Sequence, residues 1–430
     1  MIDNIYQRIK DYLLKLPLMT WVLLGFFITF LAFFIVPIFF DSSLRMQFNH
    51  YLPATLPIGN DFRVSVAFSS TWFHSAVVPE IVYPAFTLIF FSPFTLLDGE
   101  VGYKIFILII LLCYVLMTLT LPQRINKQKN ISALSMLIFI TGLVSYGMQF
   151  EIERGQFNVI AFTFCLVAVY IFHNHPKRRW LAYLFFTISV QLKLYPAIFV
   201  FALIEDWSDW KGNIKRIVGL GILNFAALFI FGVDLIQTAI RTIDKIQANL
   251  PGRVYSLSIL SFSMRILSIG FLSRMPVFMW LQANSWLLQS FLFAFIVVCF
   301  LIILWQAYKK NSKSFNPSVF FACTIGACII PGLSYDYKLS LLPVAAMLLI
   351  PVLEYFEQGE KRFLVIFLTL LFSIAYSSTL YPYTSKPEVL RYNFPALIVL
   401  LLICTALSFA KPNKVEESLP HTPQVNSDGQ

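Results

Sequence analysis

Charge is scarce in this chain. Only 13% of its 430 residues are Asp, Glu, Lys or Arg, while 58% are hydrophobic and 17% aromatic. A soluble domain carries about 25% charged residues, so the composition excludes a soluble globular protein. The apolar runs are continuous rather than alternating, which excludes a β-barrel. Motifs of several common chemistries are missing too. There is no glycine-rich nucleotide loop, no P-loop, no His/Cys metal cluster and no Ser-His-Asp pattern. The five histidines (His50, His74, His173, His175, His421) are scattered. No cofactor and no metal is expected. The six cysteines (Cys113, Cys165, Cys299, Cys323, Cys328, Cys404) lie inside apolar runs and read as small buried hydrophobes rather than disulfides or ligands. No basic stripe interleaved with aromatics accompanies the net charge of +10, so nucleic acid is not an expected partner. No cleavable signal peptide is evident. The first apolar run, 19–40, is too long for one and lacks a small-residue cleavage site, so it reads as a signal anchor.

The apolar runs predict an all-α, polytopic integral membrane protein with roughly 11–13 membrane helices. Residues 1–410 form one transmembrane domain with two long external segments, 41–79 and 234–285, and residues 411–430 form a disordered cytoplasmic tail. Basic clusters set the orientation. Arg8, Lys10 and Lys15 place the amino terminus in the cytoplasm, and the clusters at 123–130, 175–179, 211–216, 309–313 and 361–362 mark further cytoplasmic loops. Two runs do not fit simple crossings. The run 83–97 is short and cut by Pro84 and Pro93, and 180–204 lies between two basic loops, so it must turn back at Lys193. Irregular backbone at that depth is tolerated only where it lines protein or a wet cavity. Lack of retention or glycosylation logic points to a bacterial inner (plasma) membrane, with both termini cytoplasmic.

Polar residues gather at the outward ends of these runs. The stretch Glu151-Ile152-Glu153-Arg154-Gly155-Gln156-Phe157-Asn158 joins the apolar runs 131–150 and 159–172. It places two carboxylates, a guanidinium and two carboxamides at or just inside a membrane face, where each charge at mid-bilayer would cost roughly 2.5–3.5 kcal/mol. Such a joint is either a polar hairpin turn with a Glu151–Arg154 helix-end pair or a polar site. Arg154, Lys193 and Lys338 sit in short outward connections, against the topology rule, and anion binding is the simplest reason for them. The later joint Ser334-Tyr335-Asp336-Tyr337-Lys338 adds a further carboxylate–lysine combination, read either as a local pair or as part of a site. Lys and Arg suit phosphate, Gln and Asn suit sugar hydroxyls, and an Asp can serve as general base. Asp61 and Asp41 lie in the first external segment, and helix capping is the bland role for Asp61. Arg253 and Arg265 are interface anchors or site contacts. Tyr83, Tyr195 and Tyr335 read as aromatic-belt residues.

Asp61-Phe62, Tyr83-Pro84, Ser92-Pro93-Phe94, Gly155-Gln156-x-Asn158, Lys193-Leu194-Tyr195-Pro196 and Ser334-Tyr335-Asp336 occur in this order over about residues 55–345. That pattern resembles the GT-C membrane glycosyltransferases, and specifically glycosyltransferase family 87, the polyprenyl-phosphate-mannose-dependent mannosyltransferase group. The family's double proline after Tyr83 is Pro84-Ala85 here, and its Trp and His of the later joint are Tyr335 and Tyr337. The resemblance implies a GT-C-type fold and an inverting hexosyl- or pentosyltransferase on the non-cytoplasmic face. The sugar, mannose-like or another, would pass from a polyprenyl-phosphate donor to a hydroxyl of a glycolipid or glycan acceptor. Asp61 matches the catalytic aspartate, Lys193 the lysine near the donor phosphate, and Gly155, Gln156 and Asn158 the polar joint. The expected donor-binding set is Lys193, Arg154, Gln156, Asn158, Arg253 and Arg265, with Glu151, Tyr335, Asp336 and Lys338 as further site candidates and no metal. Two other readings are a flippase or transporter of a lipid-linked sugar and a polysaccharide polymerase or ligase.

Overall fold

A computed structural model of the chain describes residues 7–8, 12–31, 57–75, 78–249, 256–267, 273–310, 313–357, 361–377 and 393–409. The tail 411–430, Asp41 and Arg253 lie outside the described residues. Those described are almost entirely helical, and their single β-bridge joins Ser256 to Tyr335.

In chain order the helices are α1 (Leu18–Phe30), α2 (Asn60–Ser75), α3 (Phe86–Phe91), α4 (Gly99–Val115, continued through a π turn, Leu116–Thr120, and a short helix, Leu121–Ile125), α5 (Ala133–Leu143), α6 (Tyr146–Arg154), α7 (Asn158–Asn174), α8 (Arg179–Leu192), α9 (Trp210–Leu228), α10 (Val233–Asn249), α11 (Ile259–Leu267), α12 (Pro276–Ala283), α13 (Ser285–Lys309), α14 (Pro317–Ile329), α15 (Leu342–Glu357), α16 (Arg362–Ser377) and α17 (Asn393–Ser408). Of the 3-10 segments, Tyr195–Leu203 follows α8 and Asp336–Leu341 precedes α15. The starts follow local chemistry. Asp98 accepts hydrogen bonds from the Glu100 and Val101 amides at the head of α4, which also hold its carboxyl below the usual range. Ser132 and Ser145 cap α5 and α6 in the same way.

By length and composition three helices can cross a membrane: Gly99–Ile125, Ser285–Lys309 and Asp336–Phe356. Two bent pairs would add one span each, Ala133–Leu143 with Tyr146–Arg154 at 46° and Trp210–Leu228 with Val233–Ile246 at 95°. Six more apolar helices are only 10–17 residues long, where a straight crossing takes about 20. The run 131–150, read from sequence as one crossing, therefore divides at Ser145. The 83–97 run becomes six α-helical residues followed by the 3-10 turn Ser92–Leu96. At Lys193 the α-helix stops, and a nine-residue 3-10 segment starting at Tyr195-Pro196 replaces it.

The core is one large cluster in which α7, α14 and α15 are buried along most of their length. Helix α7 packs along α8, α14 against Tyr195–Leu203, and α6 against Asp336–Leu341. Gly147 permits this last approach, because a Cβ there would lie 2.8 Å from both the Leu339 Cβ and the Ser340 amide nitrogen. These packings bring α2, the 151–158 joint, the Lys193 break and the later joint to one place.

Candidate functional site

The turn between α6 and α7 is the centre of the site. Gly155 ends α6 in the left-handed conformation, with φ 67° and ψ 43°. Its amide and that of Gln156 bond back to the Ile152 and Glu151 carbonyls, each at 2.9 Å. Glu151 then clamps the far side. Its fully buried carboxylate accepts from Asn158 Nδ2 at 2.8 Å and from the Val159 amide at 3.0 Å, so it satisfies the start of α7. The Tyr195 hydroxyl donates to the Asn158 carbonyl at 2.9 Å and ties in the 3-10 segment.

Helix α2 meets this turn. The Gly59 amide donates to the Glu153 carbonyl at 2.8 Å, and Phe62 is buried among Phe91, Phe94, Tyr103 and Phe106 with ring centroids 4.8–6.0 Å away. Anchored by its neighbour Phe62, Asp61 receives a two-pronged bond from Arg154, Nε to Oδ2 at 2.9 Å and Nη2 to Oδ1 at 2.6 Å. Gln156 Nε2 also donates to Asp61 Oδ2. The Asp61 side chain stays 15% exposed and that of Arg154 21%, so this pair is partly exposed while the groups behind it are buried.

Behind it, Gln156 is 1% and Lys193 5% exposed. The Lys193 ammonium donates to Gln156 Oε1 at 2.6 Å. It lies 4.2 Å from the Phe157 ring centroid, 4.7 Å from that of Tyr83 and 5.4 Å from that of Tyr337. Among the described residues no carboxylate is within ion-pair distance of it. An ammonium carries three donors, and here one is used by protein while aromatic faces stabilise the charge. The Tyr83 hydroxyl is 3.4 Å from Gln156 Oε1 and 3.3 Å from its Nε2. Lys338, also buried, donates to the Ala327 carbonyl at 3.1 Å and lies 5.0 Å from the Tyr195 ring centroid. Asp336 is fully buried nearby in sequence, and Tyr335 lies against Tyr337 at 5.5 Å.

The structure thus gathers Asp61, Arg154, Gln156 and Lys193 into one connected group. It places Glu151 and Asn158 behind them, in the fixed helix start. Glu151 bonds forward to α7, whereas Arg154 reaches Asp61 across 93 positions, so the local Glu151–Arg154 pair read as one alternative is replaced by these two separate contacts. Lys338 sits one layer deeper. Arg265 belongs to α11, whose backbone is described there, and neither its side chain nor Arg253 lies within the described parts. Tyr83 and Tyr195, assigned from sequence to the aromatic belt, instead face the two buried lysines. The sequence did not single out Phe157 or Tyr337 as lysine-facing rings. Phe157 follows Gln156 directly, but the Tyr337–Lys193 approach leaves no local trace. Among the described residues no group of three or more His, Cys, Asp or Glu could hold a metal ion.

What this arrangement can do chemically is hold an anion at Lys193 and accept a proton at Asp61, on either side of one carboxamide. Neither the curated proteins nor the solved structures contain a match to the chain. The model of glycosyltransferase family 87 does match, over residues 82–330. The match takes in the Glu151–Asn158 turn and Lys193 and begins after Asp61. Covering more than half of the chain, it shows that the protein belongs to glycosyltransferase family 87 and is a glycosyltransferase.

Proposed function

We propose that the chain is a polytopic glycosyltransferase of the bacterial inner membrane, with both termini cytoplasmic. It transfers a mannose-like or other sugar from a polyprenyl-phosphate donor to an acceptor hydroxyl of a glycolipid or glycan on the non-cytoplasmic face. The observation that carries the reading is the buried Lys193 ammonium, which has one protein acceptor at 2.6 Å and three aromatic faces but no carboxylate within ion-pair distance among the described residues, Glu151 and Asp61 acting on it only from further off. A buried charge normally needs a close partner, and a lipid-linked phosphate supplies one. Asp61, partly exposed on the other side of Gln156, is in position to meet the acceptor.

In this mechanism the acceptor oxygen attacks the anomeric carbon of the bound sugar. The bond from that carbon to the phosphate oxygen breaks as the new one forms, and the hydroxyl proton passes to Asp61. A single displacement inverts the anomeric centre. Lys193 stabilises the charge that grows on the leaving polyprenyl phosphate. Arg154 holds the Asp61 carboxylate with one oxygen toward each of its nitrogens, so the base is oriented before the acceptor arrives. A carboxylate has about four lone-pair sites; Arg154 and Gln156 take three, and Asn60 Nδ2 stands 3.4 Å from Oδ1, so an incoming hydroxyl takes the place of that long Asn60 contact.

The test is release of polyprenyl phosphate by the full chain in nanodiscs, given a panel of polyprenyl-phosphate sugars and a total glycolipid extract. Wild type should release it, and Asp61→Asn should lose about 10²- to 10⁴-fold in rate. An Asp61→Asn protein with wild-type turnover would remove Asp61 as base. No release with any donor, together with donor movement between leaflets, would replace the transferase reading by a flippase.

A further inference from the structure

We propose that Gln156 is a positioning residue that links the base to the phosphate-binding lysine, so that filling one end of the site is felt at the other. The inference rests on the reading of Asp61 and Lys193 given above. By residue type this glutamine suits sugar hydroxyls, and its contacts leave no room for that. Its Oε1 takes the Lys193 ammonium at 2.6 Å, its Nε2 donates to Asp61 Oδ2, and the Tyr83 hydroxyl lies 3.4 and 3.3 Å from the two ends. At 1% exposure the side chain has no free surface to offer a sugar.

Two opposite charges lock this carboxamide. Its carbonyl end faces a cation and its N–H end an anion. Turning it over would set the oxygen against the carboxylate and the amino group against the ammonium. The backbone beneath cannot absorb a change, because the Gln156 amide is bonded to the Glu151 carbonyl at 2.9 Å and Glu151 pins Asn158 and Val159. On the lysine side, the rings of Phe157, Tyr83 and Tyr337 hold the ammonium without consuming its N–H groups. An anion that takes those groups redistributes the pull on Oε1, and the same rigid amide carries the change to Asp61. Such coupling is reciprocal: phosphate binding must shift the proton affinity of Asp61 by the same factor by which protonating Asp61 shifts phosphate affinity, and Asp61→Asn stands in for the neutral carboxyl.

The experiment measures dissociation constants of a polyprenyl monophosphate for the full chain in nanodiscs, comparing wild type, Asp61→Asn, Gln156→Leu and the double variant. The expected result is a change of about fivefold or more on Asp61→Asn that disappears in the Gln156→Leu background. An equal change in both backgrounds overturns the link. Should Gln156→Leu not fold, the near-isosteric Gln156→Glu, which has no side-chain N–H to give Asp61, takes its place in the same comparison, and an Asp61→Asn change that persists in that background overturns the link. Failure of wild type to bind, or binding indifferent to Lys193→Met, overturns the reading of the site and this inference with it. Binding that needs Lys193 but shows no Gln156-dependent coupling overturns the inference alone.

Discussion

Replacing Gly155 by alanine tests the geometry on which the site is built. The residue is at φ 67°, in the left-handed region, where an L side chain costs roughly 1–2 kcal/mol. A Cβ there would lie 2.7 Å from the Phe62 Cβ and 3.2 Å from the Gly59 Cα. Neither atom is the tip of a flexible side chain, so the backbone of α2 must move, and overpacking of this kind costs about 1–3 kcal/mol. The two contributions come to about 2–5 kcal/mol, a large share of a typical net stability of about 5–15 kcal/mol. Phe62 adjoins Asp61, so relief of the clash carries the carboxylate away from Arg154 and Gln156. The expected outcome is a lower melting temperature in detergent and loss of polyprenyl-phosphate release. Gly221→Ala is the control: a Cβ at that helical position meets nothing within 4 Å, and the change should be neutral or stabilising by about 0.5–1 kcal/mol. If Gly155→Ala melts with Gly221→Ala and turns over like wild type, the turn is not what sets the site.

Glu151→Leu should destabilise by about 2–4 kcal/mol, because it orphans Asn158 Nδ2 and the Val159 amide inside the core. Glu151→Gln, which keeps an acceptor oxygen, should recover much of that loss, and thermal melting separates the two. Arg154→Lys should keep a charge near Asp61 but lose the two-pronged grip, lowering kcat about tenfold or more while donor affinity changes less; a variant with unchanged kcat would show that the grip is not needed. Lys104→Ala removes an exposed pair with Glu100 at 3.7 Å and should shift stability by no more than about 0.5 kcal/mol.

Much of the buried polar cluster was legible in the sequence because an apolar setting makes charge conspicuous. In an apolar run a lysine or a Glu-x-Glu-Arg cluster has to have a reason, and so the 151–158 joint and Lys193 could be picked out without coordinates, whereas Asp61 was picked out by the resemblance of Asp61-Phe62 to the family pattern. The break at Lys193 was legible for the same kind of reason. Two basic loops flank 180–204, so one straight helix cannot serve, and Tyr195-Pro196 marks where the α-helix gives way. Element lengths were harder to read. Hydrophobicity alone does not reveal that Ser145 caps a new helix inside an apolar run, so one expected crossing became a pair bent by 46°.

Composition and charge pattern by themselves determined that the described residues are helical and apolar, which stretches are polar, and which residues are in surprising places. Those properties depend on each residue and its near neighbours. Partnership was decided by tertiary structure. Glu151 and Arg154 are three apart, and spacing alone makes them a plausible pair; packing of α2 against the turn gives Arg154 to Asp61 instead, while helix geometry gives Glu151 to the start of α7. Likewise no local rule puts Tyr83, Phe157 and Tyr337 around one ammonium, or one carboxamide between a base and a lysine. Hydrogen bonds and cation–aromatic contacts act over a few ångströms, and only the folded chain brings residues this distant in sequence within that reach.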